Sequence, residues 1–280
     1  VAKLLKKEIS LNSDIFKIAM YITFNQDNIK YGRYNLSHAN NLRDLIHIIT
    51  SSESDRVKVT IVEGWKIQDI ALYLEIKLGF DVEKFIYLCY DKKLIKSLGL
   101  EGDINNLEGF LFPDTYMLLK SFTEKDVIEI LLSQYKRNYK SVAPMKTILN
   151  EYETIVMASI IQAESKYKAD MDTISSVFYN RLNDKINYGK LQADPTIQYI
   201  IPGPNIRLFN KHLKIVSPYN TYINDGLPPG PINSPGLDAI NAALFPLETE
   251  YYYFVADGKG KHIFNIDNSG HNNSKNNVSR

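Results

Sequence analysis

Apolar residues recur along this chain at two spacings, and the change from one to the other outlines its elements. Between Arg56 and Val62 the side chains alternate, with Val57, Val59 and Ile61 on one face and Lys58, Thr60 and Val62 on the other, which predicts a half-buried strand. Elsewhere the spacing is helical. Leu42, Leu45, Ile46 and Ile49 predict a helix over Asn41–Ile49, and Ile70, Ala71 and Leu74 form the inner stripe of another over Ile67–Leu78. A mixed apolar segment runs from Asp14 to Phe24, Tyr31–Tyr34 reads as a turn into a short strand, and a further helix is expected at Glu124–Tyr139.

The helix expected over Glu153–Tyr167 is the most informative, because Met157, Ile160, Ile161 and Glu164 share its i, i+3, i+4, i+7 face. That face should be buried. A carboxylate placed there loses hydration, which disfavours its charged form and raises its pKa, as a proton donor for use near neutral pH requires. The plainer alternative is a glutamate at the edge of the face, paired with Lys168 or Arg181. Periodicity alone leaves both open. The next helix, Met171–Leu182, places Ile174, Val177, Phe178 and Arg181 on one side.

Beyond it the texture changes. Lys190–Ile200, Val216–Pro235 and Tyr251–Ile266 hold most of the prolines and glycines, interleaved with Asn, Thr and Tyr, as in loops that position polar groups on a rigid base. His271–Arg280 is rich in Asn and Ser and is expected to be disordered. The organisation expected is therefore α+β. Residues 1–102 would form a small α/β module of β-α-α-β character, with the Glu63-Gly64-Trp65 turn leading from its strand into its helix. Residues 103–268 would form a larger mixed α+β domain, and 269–280 a tail.

Composition removes several classes of function. The 280 residues are 44% hydrophobic, enough for a substantial core, and 33 Lys and Arg balance 32 Asp and Glu, so no electrostatic footprint of a nucleic-acid binder is present. Cys89 stands alone and excludes an internal disulfide; neither a CxxC pair nor HExxH supports zinc. His38, His47, His212, His262 and His271 are scattered and read as surface or hydrogen-bonded histidines. No Gly-rich phosphate loop lies beside a candidate Schiff-base lysine, which argues against a pyridoxal-phosphate lyase, and no cofactor is expected. No stretch approaches the roughly 18 apolar residues of a membrane span.

The residues that carry chemistry fall in ordered motifs: Ala158–Ser165, Val177–Leu182, Leu191–Tyr199, Ser217–Tyr222, Gly226–Gly236, and Tyr253–Ala256 leading to His262–Phe264. In that order they resemble the endolytic murein transglycosylase, or YceG-like, family. The strand, Glu-Gly-Trp turn and helix of the first module resemble the family's LysM-like module. The resemblance implies cleavage between N-acetylmuramic acid and N-acetylglucosamine within peptidoglycan glycan strands, leaving a 1,6-anhydro-muramyl end. It places the catalytic glutamate at Glu164. It also implies a single-pass membrane protein with the enzyme outside the cytoplasm, of which this chain would be the ectodomain, with cell-wall synthesis proteins as possible partners.

Around Glu164, the candidate donors and acceptors for N-acetyl and hydroxyl groups are Gln192, Asn220, Tyr222 and Asn233. His262 is within possible reach of the cleft. Asp194 is the nearby acid in a motif, and its simpler role is to brace the Pro195 turn through backbone amides. Two departures from the family pattern stand out. Gln162 occupies a position that is often acidic, which removes a competitor to Glu164, and Val62 replaces a common proline before Glu63-Gly64. Two other readings remain at this level: a non-enzymatic glycan-binding protein, and a hydrolase with two catalytic carboxylates.

Overall fold

The computed structural model describes residues 5, 11–29, 36, 39, 41–51, 56–100, 102, 104–142, 148–165, 167–203 and 206–278. The turn read at Tyr31–Tyr34 lies outside them. The chain forms two compact units, residues 1–59 with 116–123, and residues 60–115 with 124–280. The segment from the Glu63 turn to Thr115 belongs to the same unit as the later part of the chain. The class is α+β, with helices predominating and, among the described residues, two small two-stranded sheets.

In the first unit, α1 (Ser13–Ile22) begins where the Asn12 side chain accepts the Asp14 and Ile15 amides, a side-chain substitute for the missing helical partners of the first turn. It buries Phe16 and Met20 against Leu45, Ile46 and Ile49 of α2 (Leu42–Ser51), three of the four residues expected on that inner face. Strand β1 (Arg56–Thr60) pairs with β2 (Thr115–Leu119), so the expected strand forms but stops two residues early.

The second unit opens with α3 (Ile67–Leu78), which has the bounds its periodicity predicted and ends at Gly79 in the left-handed region. Helices α4 (Val82–Tyr90) and α5 (Lys92–Ser97) follow, capped by Asp81 and Asp91. Cys89 of α4 is wholly buried, and that burial raises its thiol pKa, as suits a core residue. Helix α6 (Glu124–Val142) packs against α4.

The centre of this unit is α7 (Glu151–Glu164). An Asn150/Glu153 capping box starts it, and Ser165 ends it in extended conformation, its hydroxyl bonded to the Tyr167 carbonyl. It ends three residues sooner than expected, so Glu164 is its last residue. The expectation of one buried face is too narrow: every residue from Thr154 to Ile161 is buried, because α8 (Lys168–Asn183), α9 (Asp194–Ile200) and α10 (Leu237–Leu244) all pack on α7. Helix α8 also satisfies the carbonyls at the end of α10, with Ser175 Oγ donating to Ala242 and Tyr179 OH to Ala243.

The later segments contain more regular structure than their loop-like composition suggested. Asp194–Ile200 is helix α9, and strands β3 (Tyr253–Ala256) and β4 (His262–Asn265) form an antiparallel hairpin. The expected disordered tail is instead helix α11 (Asn268–Val278), packed on that hairpin. Ring stacking of His271 on Tyr253 and a Ser274–Asn265 hydrogen bond hold it there. Among the described residues no helix is long and apolar enough to cross a membrane.

Candidate active site

Glu164 projects from the end of α7 into two cavities that share it and Asp194. The larger, about 510 Å³, is lined also by Arg181, Gln192, Tyr222, the β3–β4 hairpin and residues of α11. The smaller, about 280 Å³, is lined by Gly64, Lys66, Gln198 and Asn233 among others. Both fall near the size range of small-molecule sites.

The Glu164 carboxyl is half-buried, open to the cleft on one side and enclosed by protein on the others. That enclosure, with a smaller contribution from the Asp194 charge, pushes its pKa up to about 8 against the opposing pull of Arg181. The ion pairs considered from sequence do not form: Lys168 binds Asp238, and Arg181 donates to the backbone carbonyls of Tyr252 and Leu191. A raised pKa is not by itself distinctive. Glu108 is also pushed up to about 8 by burial, but it accepts the Ile67 amide at the head of α3 and lines neither cavity. Access to a cleft separates the two carboxyls.

Asp194, first residue of α9, does not brace the turn through backbone amides as expected. It accepts the Tyr222 hydroxyl at 2.5 Å, while Thr196 and Thr221, both buried, join the two loops through their hydroxyls at 2.9 Å. Burial first, and then the bond to Asp194, raise the Tyr222 pKa well above its usual value, so this phenol stays a neutral donor. Gln192, beside Asp194, has φ of 51°, a left-handed conformation rare for a side chain of its kind, and it lines the larger cavity. The Gln192 and Ala193 amides are fixed by the Thr221 carbonyl and hydroxyl. Strained backbone held by its neighbours is common where side chains must be presented.

Asn220 is corrected from a substrate contact to a brace. Its amide group donates to the Leu213 and Ile215 carbonyls and accepts the Tyr222 amide, it is fully buried, and it lines neither cavity. Asn233 lines the smaller cavity, with Nδ2 donating to the Ser159 carbonyl and Oδ1 buried without a partner among the described residues. His262 lines the larger cavity while its Nδ1 sits 2.9 Å from Asp170.

The Glu63-Gly64-Trp65 turn is nearer the chemistry than its place in the sequence suggested. The Gly64 amide donates to the Ser234 carbonyl and the Ser234 amide to that of Trp65, both at 2.8 Å, so the turn is stitched to the loop carrying Asn233. Gln162 accepts the Gly236 amide and fixes the same loop to α7. Sequence reasoning also passed over Asn268, His271 and Lys275, which line the larger cavity from α11. Their i, i+3, i+7 spacing was the available signal, but it was hidden in a segment whose composition suggested disorder.

A carboxyl whose pKa is raised to about 8 and that lines two cavities suits a proton donor. The chain belongs to the YceG-like family, whose model matches residues 1–277. It is 33% identical to the endolytic murein transglycosylase of Bacillus subtilis, over 98% of this chain and 80% of that protein. It is 32% identical to the protein of the same name from Streptococcus pneumoniae D39, over 83% of this chain and 47% of that protein, so the match spans about half of the pneumococcal relative. A crystal structure of a YceG-like protein from Listeria monocytogenes superposes with a TM-score of 0.67 at 27% identity, covering 97% of this chain and 93% of that one.

Proposed function

We propose that the chain is a lytic transglycosylase acting on peptidoglycan, cleaving the MurNAc–GlcNAc bond within glycan strands with Glu164 as general acid and then base. The observation that carries this reading is the Glu164 carboxyl, raised to about 8, unpaired among the described residues and open to a cleft. At neutral pH it holds a proton to give. Protonation of the glycosidic oxygen by Glu164 accompanies breaking of its bond to the muramyl C1. The resulting carboxylate then takes the proton of the muramyl 6-hydroxyl as that oxygen bonds to C1, closing the 1,6-anhydro ring. One carboxyl serves both steps, and the intramolecular nucleophile has an entropic advantage over water.

Two cavities share Glu164 and Asp194, and we read them as places for the sugars that flank the bond cleaved. Gln192 and Tyr222 in the larger cavity and Asn233 in the smaller are candidate hydrogen-bonding groups for the sugars. Between the paired strands β1 and β2 the chain forms three helices, α3, α4 and α5, one more than the β-α-α-β order expected, and a LysM-like element that grips glycan there is part of this proposal. The substrate places the working enzyme outside the cytoplasm, and a membrane anchor would hold it near nascent strands and the proteins that make them.

The competing reading is a hydrolase in which Asp194 activates water. A retaining or inverting pair of carboxylates would make Asp194 indispensable. In the present reading, Asp194 raises the Glu164 pKa and positions Tyr222. Asp194→Asn removes a negative neighbour, so the Glu164 pKa falls and the basic limb of the activity–pH profile moves to lower pH. Activity at pH 6 should drop by no more than about tenfold, with the product unchanged. Loss of all cleavage across the pH range in a folded Asp194→Asn protein would favour the hydrolase.

A further inference from the structure

His262 and Asp170 form a pair that the proton transfers at Glu164 do not use. Asp170 lies in the first turn of α8, and its Oδ2 accepts two bonds from one residue of β4, the His262 backbone amide and the ring Nδ1, both at 2.9 Å. The amide bond alone would fasten the hairpin to α8. The ring bond also sets the chemistry of the imidazole. An oxygen that accepts the amide is an acceptor toward the ring as well, so Nδ1 carries the hydrogen and the lone pair of the neutral ring is left on Nε2.

The surroundings hold the ring in this pose. The His262 and Asp170 side chains are only 9% and 13% exposed, and Phe254 meets the imidazole edge-on with ring centres 5.5 Å apart. Nε2 makes no hydrogen bond among the described residues, yet it is not sealed in the core as Nδ1 of His271 is, and the ring lines the larger cavity together with Glu164. An imidazole oriented through one nitrogen by a carboxylate, with the other nitrogen open to a cleft, is arranged to meet a ligand. The described residues do not supply the group of three His, Cys, Asp or Glu side chains that would hold a metal ion. What a lone pair in such a cavity accepts is an O–H or N–H donor, and hydroxyls are the commonest donors of a sugar.

We propose that His262 Nε2 accepts a hydroxyl of the glycan sugar held in the larger cavity, and that Asp170 is the positioning residue that keeps Nε2 an acceptor. The proposal rests on the reading of the cleft as a glycan site and leaves the proton transfers to Glu164.

The test uses the full chain with 15N-labelled histidine and the Glu164→Gln substitution, so that glycan strands are bound without being cleaved, and His262→Phe identifies the ring among the five histidines. The free protein should show a hydrogen on His262 Nδ1 and a bare Nε2, and added strands should move the Nε2 resonance upfield as its lone pair is taken. In the otherwise wild-type enzyme, His262→Phe should lower kcat/KM by about tenfold, the scale of one hydrogen bond. Asp170→Ala should cost a similar factor, and the two changes together little more than either alone, because they remove one contact. Asp170→Asn can keep an oxygen in the place of Oδ2 and should restore most of the activity. An Nε2 resonance unmoved by strands that do bind would leave the pair as a tie between the hairpin and α8 and overturn the proposal, as would wild-type kcat/KM in His262→Phe. Strands that fail to bind at all would overturn the glycan reading and this proposal with it, whereas continued cleavage by Glu164→Gln removes the acid assignment alone.

Discussion

Glu164→Gln should leave a folded protein whose cleavage of peptidoglycan is lower by at least about 10²–10⁴-fold, the usual loss when an acid–base group is removed. The amide keeps the shape of the neutral carboxyl and cannot deliver a proton. Because Glu164 has a folded pKa of about 8, well above its ordinary value near 4.5, the native state of the wild type holds a proton that the unfolded chain releases. The Glu164 contribution to stability is therefore full at low pH and declines as pH rises from about 4.5 to 8. Gln does not titrate, so the variant should melt at least as high as wild type at pH 7, and its advantage should grow toward pH 9. Thermal melts of the two proteins across pH, beside sacculus digestion, check both statements. Near wild-type digestion by the variant would remove Glu164 from the chemistry.

The largest loss of stability is expected at Gly109. Its φ is +84°, and a Cβ added there would stand 2.6 Å from Pro231 Cβ and 2.8 Å from Ile155 Cγ2. These neighbours belong to the loop preceding Asn233 and to α7, so the clash falls where the cleft wall meets the core helix. Gly109→Ala should cost about 3 kcal/mol, the sum of a left-handed residue and an overpacked contact, and lower Tm by roughly 10 °C. Gly79→Ala is the matched control. It has φ of +71° and nothing within 4 Å of the added Cβ, so it carries the backbone penalty alone, about 1 kcal/mol. Denaturation showing equal costs for the two substitutions would mean that the Pro231–Ile155 contact yields without strain.

Elements that obey a single period were legible in the sequence. The α3 stripe of Ile70, Ala71 and Leu74 gave its bounds, and the inner face of α2 was read from Leu45, Ile46 and Ile49. Helix α7 was misread in its extent because burial on all sides replaces an amphipathic pattern with a continuous one, and its end depends on the local Ser165–Tyr167 bonding. Of the site, Glu164, Asp194, Gln192, Tyr222, Asn233 and His262 do meet at the two cavities. Asn220 does not, since loop composition cannot separate an amide aimed at a ligand from one consumed by the Leu213 and Ile215 carbonyls. The joining of the Glu63 turn to Ser234 and the docking of α11 on the hairpin are long-range pairings, which neither period nor composition encodes.

Mass spectrometry of the fragments released from purified peptidoglycan tests the reaction most directly. Transfer of the muramyl bond to its own 6-hydroxyl leaves 1,6-anhydro-muramyl ends, lighter by one water than the reducing ends a hydrolase would produce. The expected result is anhydro ends in nearly all new termini, with none formed by Glu164→Gln. A digest dominated by reducing-end muramic acid would contradict the lytic reaction and turn attention to Asp194 as a second catalytic carboxylate.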